Sequence, residues 1–206
     1  MKQKEVVIVV PGVHDISYYP SWIKSLSFFL FRLLRIRPIL KDHLTVWKGR
    51  IDHGPRTIWM KWTRHADPVS LWLARRKLKR LLRQHKNERV SIVGISMAGD
   101  IILDVIKDAN PQVSRVILAC SVNGHTKIDF PHPRIINIYS DKDRFVQMAI
   151  DVYSPFFGGK RLEGKDVKNV VIPNFTHDEF CSDVRIKKGR FKGKRITQLV
   201  NGFLKG

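Results

Sequence analysis

Four short stretches of this chain carry residues able to do chemistry together. The first is Gly94-Ile95-Ser96-Met97-Ala98-Gly99, set between the apolar runs Val90–Val93 and Ile101–Ile106. A strand, a sharp turn with a serine and a helix are the expected local structure. A turn this tight strains the serine backbone, and side chains two positions either side would collide, so small residues are needed at Gly94 and Ala98. The strain pushes the Ser96 hydroxyl out of the backbone at the start of a helix, where N–H groups and the helix dipole favour a developing oxyanion. A serine placed in this way suits nucleophilic attack on an acyl carbon. The plain alternative is an ordinary strand-to-helix turn capped by serine, and the remaining stretches decide between the two. They are Pro11-Gly12-Val13-His14, Ser140-Asp141-Lys142-Asp143 and Asn174-Phe175-Thr176-His177, each placed directly after an apolar run.

Those runs must position the four stretches. Val6–Val10, Val113–Ala119, Arg134–Tyr139 and Asn169–Ile172 are short, continuous and rich in β-branched residues, as expected for strands buried on both faces of a parallel sheet. Residues 43–51 and 57–62 also read as strands, one in the sheet and the other an edge or hairpin addition, with Asp52-His53-Gly54-Pro55 as the turn between them. Trp47, Trp59 and Trp62 would gather there, chiefly as core and edge packing. Asp67 as N-cap and Pro68 at the first helical position start a long helix whose inner face is Leu71, Ala74, Leu78, Leu81, Leu82 and His85. A closing helix carries Ile196, Leu199, Val200 and Phe203 on one face. Strands alternating with helices predict a parallel sheet covered on both faces, with sites at the carboxyl ends of its strands. The segment from Val122 to Pro133 is too short to hold a cap domain, and 151–168 reads as loop.

One further helix is predicted over residues 22–37, between Pro20 and Pro38. Its wide apolar face comprises Trp22, Ile23, Leu26, Phe29, Leu30, Leu33 and Leu34, while Phe28 and Phe31 fall among basic residues on the other side. Two accounts stay open for that pair: packing under a neighbouring loop, or an interfacial helix or lid that meets lipid or an acyl chain.

The 206 residues suit a single domain spanning 1–206, with an ordinary apolar fraction of 43%. The charge is far from ordinary: 38 Lys and Arg against 18 Asp and Glu give a net +20. Such a surface attracts polyanions, whether nucleic acid, anionic lipid headgroups or acidic polysaccharide, although a general bias of the source proteome would give the same excess. The densest basic patch is Arg75, Arg76, Lys77, Lys79, Arg80 and Arg83, with almost no local acid to offset it. Two cysteines, Cys120 and Cys181, are too few for a disulfide scaffold and show no metal-ligand spacing, so no metal is expected. Two free thiols is the simpler reading, with one bridge the alternative. The apolar run near the start is too short for a signal-peptide core and no span reaches membrane length, so a cytoplasmic protein, surface-associated or not, is the default expectation.

Taken in order, these stretches resemble the α/β-hydrolase superfamily over nearly the whole chain. The resemblance rests on Val-Val-Pro-Gly-Val after the first strand, Gly-Ile-Ser-Met-Ala-Gly at the turn, Tyr-Ser-Asp-Lys-Asp-Arg-Phe-Val, and Asn-Phe-Thr-His-Asp-Glu-Phe. Ala98 departs from the usual glycine but is small. The resemblance implies an α/β-hydrolase fold with a mostly parallel central sheet, helices on both faces and no separate cap domain. It implies Ser96 as nucleophile, His177 as base and, because Asp143-x-x-Val146 matches the superfamily's usual pattern where Asp141 does not, Asp143 as the orienting acid. Oxyanion donors would be the amides of Val13 and Met97. Gly12 lets the backbone turn, His14 shapes the rim, and Phe28 and Phe31 would meet substrate. The implied activity is cleavage of carboxylic esters without a cofactor. A thioesterase, acyltransferase, amidase or peptidase on the same residues, or a non-catalytic nucleic-acid or membrane binder on this scaffold, are the alternatives. A lipid or small-molecule ester is the implied partner, with an anionic membrane or other polyanion at Arg75, Arg76, Lys79, Arg80 and Arg83.

Overall fold

A computed structural model of the chain describes residues 5–12, 43–51, 56–61, 68–108, 112–123, 127–144, 146–147 and 160–206. Among the described residues six strands form one sheet: β1 (Glu5–Val10), β2 (Thr57–Trp59), β3 (Arg89–Ile95), β4 (Val113–Ala119), β5 (Arg134–Tyr139) and β6 (Val167–Val171). Their spatial order is β2-β1-β3-β4-β5-β6, and every neighbouring pair is parallel. The helices are α1 (His43–Lys48), α2 (Pro68–Gln84), α3 (Ala98–Ile106), α4 (His177–Cys181) and α5 (Ile196–Lys205).

The two-residue period of the strands splits the core into two layers. Val6, Ile8 and Val10 of β1, Val90 and Ile92 of β3, and Val116 and Leu118 of β4 face α2 and α3. Val7, Val9, Val93, Ile95, Ile117 and Ala119 face α1, α4 and α5 instead. Both sides of the central strands are buried, which is why their sequences are continuous apolar runs. Each such Val or Ile contributes about 1.5–3 kcal/mol relative to exposure.

Each helix meets the sheet through its own apolar stripe. On α2, Leu71, Ala74, Leu78 and Leu82 are buried at the predicted spacing, with Leu81 half-buried. α3 is buried over Ala98–Leu103, Val105 and Ile106. α5 buries Ile196, Thr197, Leu199, Val200 and Leu204. Its carboxyl end is capped by Arg115 of β4, whose guanidinium donates to the carbonyls of Phe203 and, at 2.7 Å, Leu204. A cation there satisfies terminal carbonyls and complements the helix dipole.

Two local expectations are corrected. Residues 43–51 are not a strand: 43–48 are helical, with Trp47 and Ile51 buried against the sheet. Ile51 lies three residues past the helix end, its amide donating to Trp47 O at 3.0 Å, and the burial of the two side chains outweighs the strand preference of Val46 and Trp47. Among the described residues of this region Thr57–Trp59 forms a strand, at the sheet edge beside β1, and Trp62 lies outside them. The basic face of α2 is also less lonely than its sequence suggests. Arg75 pairs with Asp100 at 2.5 Å and Asp104 at 2.7 Å, and Lys79 pairs with Asp108, all three acids coming from α3 or the turn after it. The helix expected over 22–37, with Phe28 and Phe31, lies outside the described residues.

The chain passes from β1 outward to β2 and then returns to β3 on the other side of β1. That reversal places the topological switch point between β1 and β3, where parallel sheets open a crevice at the strands' carboxyl ends. Gly12 follows β1 there and Ser96 follows β3. β4 and β5 are joined by residues 120–133 alone.

Candidate active site

Ser96 follows the last residue of β3 and has φ 56°. A non-glycine residue in the left-handed region costs of order 1–3 kcal/mol and persists only where its surroundings over-determine it. Here they do. The Ser96 amide donates to Ala119 O at 3.1 Å, while its carbonyl accepts from Gly99 at 3.2 Å and Val122 at 3.3 Å. Glycines provide the clearance. A Cβ on Gly94 would lie 2.4 Å from Ile102 Cδ1 and 3.1 Å from Leu118 Cδ2. On Gly99 it would meet Asn123, Ser121 and the Val122 carbonyl, all within 2.8 Å. Gly99, one position past Ala98, is therefore the second glycine the turn requires: it lets α3 pack against the segment after β4. Ala98 itself is fully buried.

The hydroxyl of Ser96 lies 3.1 Å from His177 Nε2. His177 Nδ1 lies 2.9 Å from Asp143 Oδ2. The three residues are 3%, 4% and 1% exposed, so the hydrogen-bonded line they form is shielded from water. A carboxylate on Nδ1 fixes the tautomer that leaves Nε2 free to accept the serine proton.

Two loops hold the acid and the imidazole in register. Asp143 Oδ1 accepts from the Val146 amide at 3.0 Å, which is the physical content of the Asp-x-x-Val spacing: the fourth residue's backbone fixes the carboxylate. Asp141 is exposed, its Oδ1 accepting from the Ser140 hydroxyl at 3.5 Å and its carbonyl from Lys160. Ser140, fully buried at the end of β5, accepts from Lys142 N at 3.2 Å and from Phe175 N at 3.1 Å. That single hydroxyl ties the acid loop to the loop before His177. Sequence reasoning passed over Ser140, since a serine after a strand is an unremarkable turn residue.

His177 opens α4, a short helix absent from the sequence expectations. A capping box starts it: Thr176 Oγ1 accepts from Glu179 N, and Glu179 Oε2 accepts from Thr176 N at 2.9 Å. The Thr-x-x-Glu spacing was the available signal. From beneath, the indole of Trp47 donates to Phe180 O at 3.1 Å, so α1 braces the helix that carries the imidazole. Asp183, after α4, accepts from Arg50 at 2.9 Å and from the Thr197 amide and hydroxyl, tying α4 to α1 and α5.

Burial by itself would lower the His177 pKa, but the Asp143 carboxylate and, secondarily, Cys181 raise it well above 6.5. Opposite charge in a dry site favours the imidazolium. Cys120 and Cys181 are buried and form no disulfide, brought together with His177 by the end of β4 and by α4. Burial first, then the neighbouring Cys181, pushes the Cys120 thiol well above its ordinary range. The sequence reading saw no ligand spacing at either cysteine; His177 and Cys181, four apart on one helix, were the overlooked pair.

Among the predicted donors, Met97 is described and occupies the N-cap of α3, immediately after Ser96. First-turn amides have no partner within the helix and point toward a group at its N-terminus. Gly12 lies against Ser96: a Cβ there would fall 2.6 Å from Ser96 Cβ and 3.3 Å from its Oγ. Val13, His14, Phe28 and Phe31 lie outside the described residues.

No protein-family model and no curated protein matches this chain. Solved structures do. Est1E from Butyrivibrio proteoclasticus superposes with a TM-score of 0.55 at 12% identity, covering 99% of this chain and 88% of its own. An alpha-beta serine hydrolase homologue from Coxiella burnetii gives 0.52 at 14% identity, with 88% and 82% covered. A predicted CIB-like hydrolase from Thermoplasma acidophilum gives 0.50 at 13%, with 98% and 87% covered. Identities this low speak to architecture, and on that ground, with the parallel sheet and its helices on both faces, the chain has the α/β-hydrolase fold, without a separate cap domain between β4 and β5.

Proposed function

We propose that this protein is a serine hydrolase that cleaves carboxylic esters through an acyl-enzyme intermediate. The observation that carries the reading is the buried line Ser96–His177–Asp143 on a positive-φ turn at the switch point of the sheet. In this reading His177 Nε2 takes the Ser96 proton as Oγ attacks the ester carbonyl. The alkoxide that forms on the former carbonyl oxygen is bound by the Met97 amide, with Val13 as the expected second donor. Collapse expels the alcohol, protonated by His177, and water then repeats the sequence to release the acid. Asp143 holds the tautomer and stabilises the imidazolium throughout. No step calls for a cofactor. Thioester, amide or acyl-transfer chemistry would use the same groups, so the ester assignment is tested by substrate choice. Turnover of a p-nitrophenyl ester series, abolished in Ser96→Ala and retained in Ser121→Ala, supports it. Absence of turnover on every ester, with turnover on thioesters, would reassign the substrate class.

A lipid-presented substrate is favoured by the outer face of α2. Val69, Trp72 and Leu73 are 65%, 51% and 47% exposed, and Arg76 stacks on Trp72 at 4.7 Å. With Arg75 and Lys79 engaged by α3, the cations left on that side are Arg76, Lys77, Arg80 and Arg83. Exposed apolar residues beside cations suit an anionic bilayer surface better than nucleic acid. Co-sedimentation with phosphatidylserine vesicles but not phosphatidylcholine vesicles, weakened by Trp72→Ala with Arg76→Ala, is the expected result; equal binding to both overturns it. No helix among the described residues is long and apolar enough to cross a membrane.

A further inference from the structure

Cys120 and Cys181 form a cluster with His177, and the hydrolase reading uses neither thiol. Each is at least nine-tenths buried, at 1%, 4% and 1% exposure. One ring nitrogen and the two sulfurs all lie within 4.8 Å of one another. Ligand atoms around a single tetrahedral zinc, with bonds of about 2.0–2.3 Å, stand roughly 3.5–3.8 Å apart. A contraction of about an ångström would therefore close the three around one ion.

A second observation concerns how the ligands are held. His177 and Cys181 are the first and last residues of α4. Four residues apart on a helix, they stand one above the other on the same face, the spacing by which helices chelate metals. The capping box and the Trp47 bond to Phe180 O hold that helix in place. Cys120 approaches from the end of β4, held at φ 45° by its own amide's bond to Ile138 O at 2.9 Å. Two sulfurs and an imidazole select thiophilic ions such as Zn2+ over the oxygen-seeking Mg2+ and Ca2+.

We propose that Cys120, His177 and Cys181 form an inhibitory site for a thiophilic divalent cation of the Zn2+ class. Both nitrogens of His177 are already engaged, Nε2 with Ser96 and Nδ1 with Asp143. A metal on Nε2 occupies the lone pair that would accept the serine proton, and a metal on Nδ1 displaces Asp143 and leaves the ring proton on Nε2, so either blocks the transfer. Binding is balanced by proton release: the two thiols give up two protons to solvent, the imidazolium held by Asp143 gives up one more to expose a lone pair, and two thiolates neutralise the ion. The protein is then switched off by metal and switched on by a chelator. The inhibitory consequence rests on the hydrolase reading, whereas the site itself does not.

The test uses the full-length protein after chelator treatment, with Co2+ as a spectroscopic probe and Zn2+ as inhibitor. Cobalt should give a thiolate-to-metal charge-transfer band saturating at one equivalent, lost in Cys181→Ser and in Cys120→Ser. Zinc should suppress ester turnover of the native chain by at least about tenfold, reversibly with EDTA, while each serine variant loses far less relative to its own metal-free rate. If the band forms but no ester is turned over, the metal site stands and the hydrolase reading falls. The site is overturned by absence of the band, by zinc inhibition unchanged in both variants, or by a denatured, unreduced protein with no titratable thiols, which would make the pair a disulfide.

Discussion

Gly12 and Ser96 touch across the ends of β1 and β3, so closely that position 12 has no room for a side chain. An added Cβ would stand 2.6 Å from Ser96 Cβ and 2.8 Å from the Ile95 carbonyl. Neither neighbour is the flexible end of a side chain. Gly12→Ala must therefore displace Ser96 or the loop after β1. Overpacking of this kind costs about 1–3 kcal/mol, and misplacing a reacting group by an ångström costs on the order of a hundredfold in rate. The expected outcome is a fall in kcat well beyond the fall in Tm, read from ester turnover beside a thermal melt. Native turnover in a folded Gly12→Ala variant would contradict the contact.

Asp143 and Asp141 are separable by substitution. Asn at 143 keeps the shape but presents an amide to His177 Nδ1 and favours the wrong tautomer, for which a loss of roughly 10³–10⁴ in kcat is expected. Asp141→Asn, on an exposed side chain, should leave turnover within about threefold, as surface changes usually do. Steady-state kinetics on the two variants give the comparison; an equal loss in both would remove Asp143 from its assigned place.

The raised pKa of His177 makes opposite predictions for rate and stability. Only the neutral imidazole accepts the serine proton, so kcat/KM should rise with pH along a limb centred above 6.5. The folded protein holds the proton more tightly than the unfolded chain does. The stability from this pairing is thus fully present below about 6.5 and is lost as pH rises through the folded pKa. Asp143→Asn should move the rate limb down and flatten the stability change. A limb at or below the ordinary histidine value in the native chain would contradict the ion pair. Rates against pH, with melts across the same range, supply both curves.

Ser140 joins the two loops that must stay in register. Ser140→Ala leaves the buried Phe175 amide without its acceptor, a loss of about 1–3 kcal/mol. The His177 loop should shift with it, lowering kcat more than it raises KM. Ser140→Thr, which keeps the hydroxyl, should recover turnover if it folds. A kcat equal to native in Ser140→Ala would reduce this residue to ordinary stability.

How far the sequence spoke depended on whether the decisive contact was local. β1, β3, β4 and β5 are buried on both faces, so their apolar runs mark them almost to the residue. Ser96, Asp143 and His177 each follow such a run, and their spacing along the chain could be read without knowing their separation in space. Residues 43–51 misled because Val46 and Trp47 favour strands, while the burial of Trp47 under α4 is a contact 133 residues away. The acids that offset α2 were invisible for the same reason: Asp100, Asp104 and Asp108 lie 25 to 29 residues along the chain from their partners but pack directly against them. Cys120 and Cys181, 61 positions apart by their numbers, meet at His177 only because β4 ends beside α4. Local signals at the start of α4 were present in Thr176-x-x-Glu179 and needed only to be read.

The central claim is that Ser96 is a nucleophile activated by His177. Labelling of the purified protein with a fluorophosphonate, followed by mass mapping of the modified peptide, tests it without a known substrate. One adduct per chain is expected, on Ser96, formed far more slowly in His177→Ala and absent from Ser96→Ala. No adduct on the folded native protein, or an adduct on another serine that persists in Ser96→Ala, would contradict it.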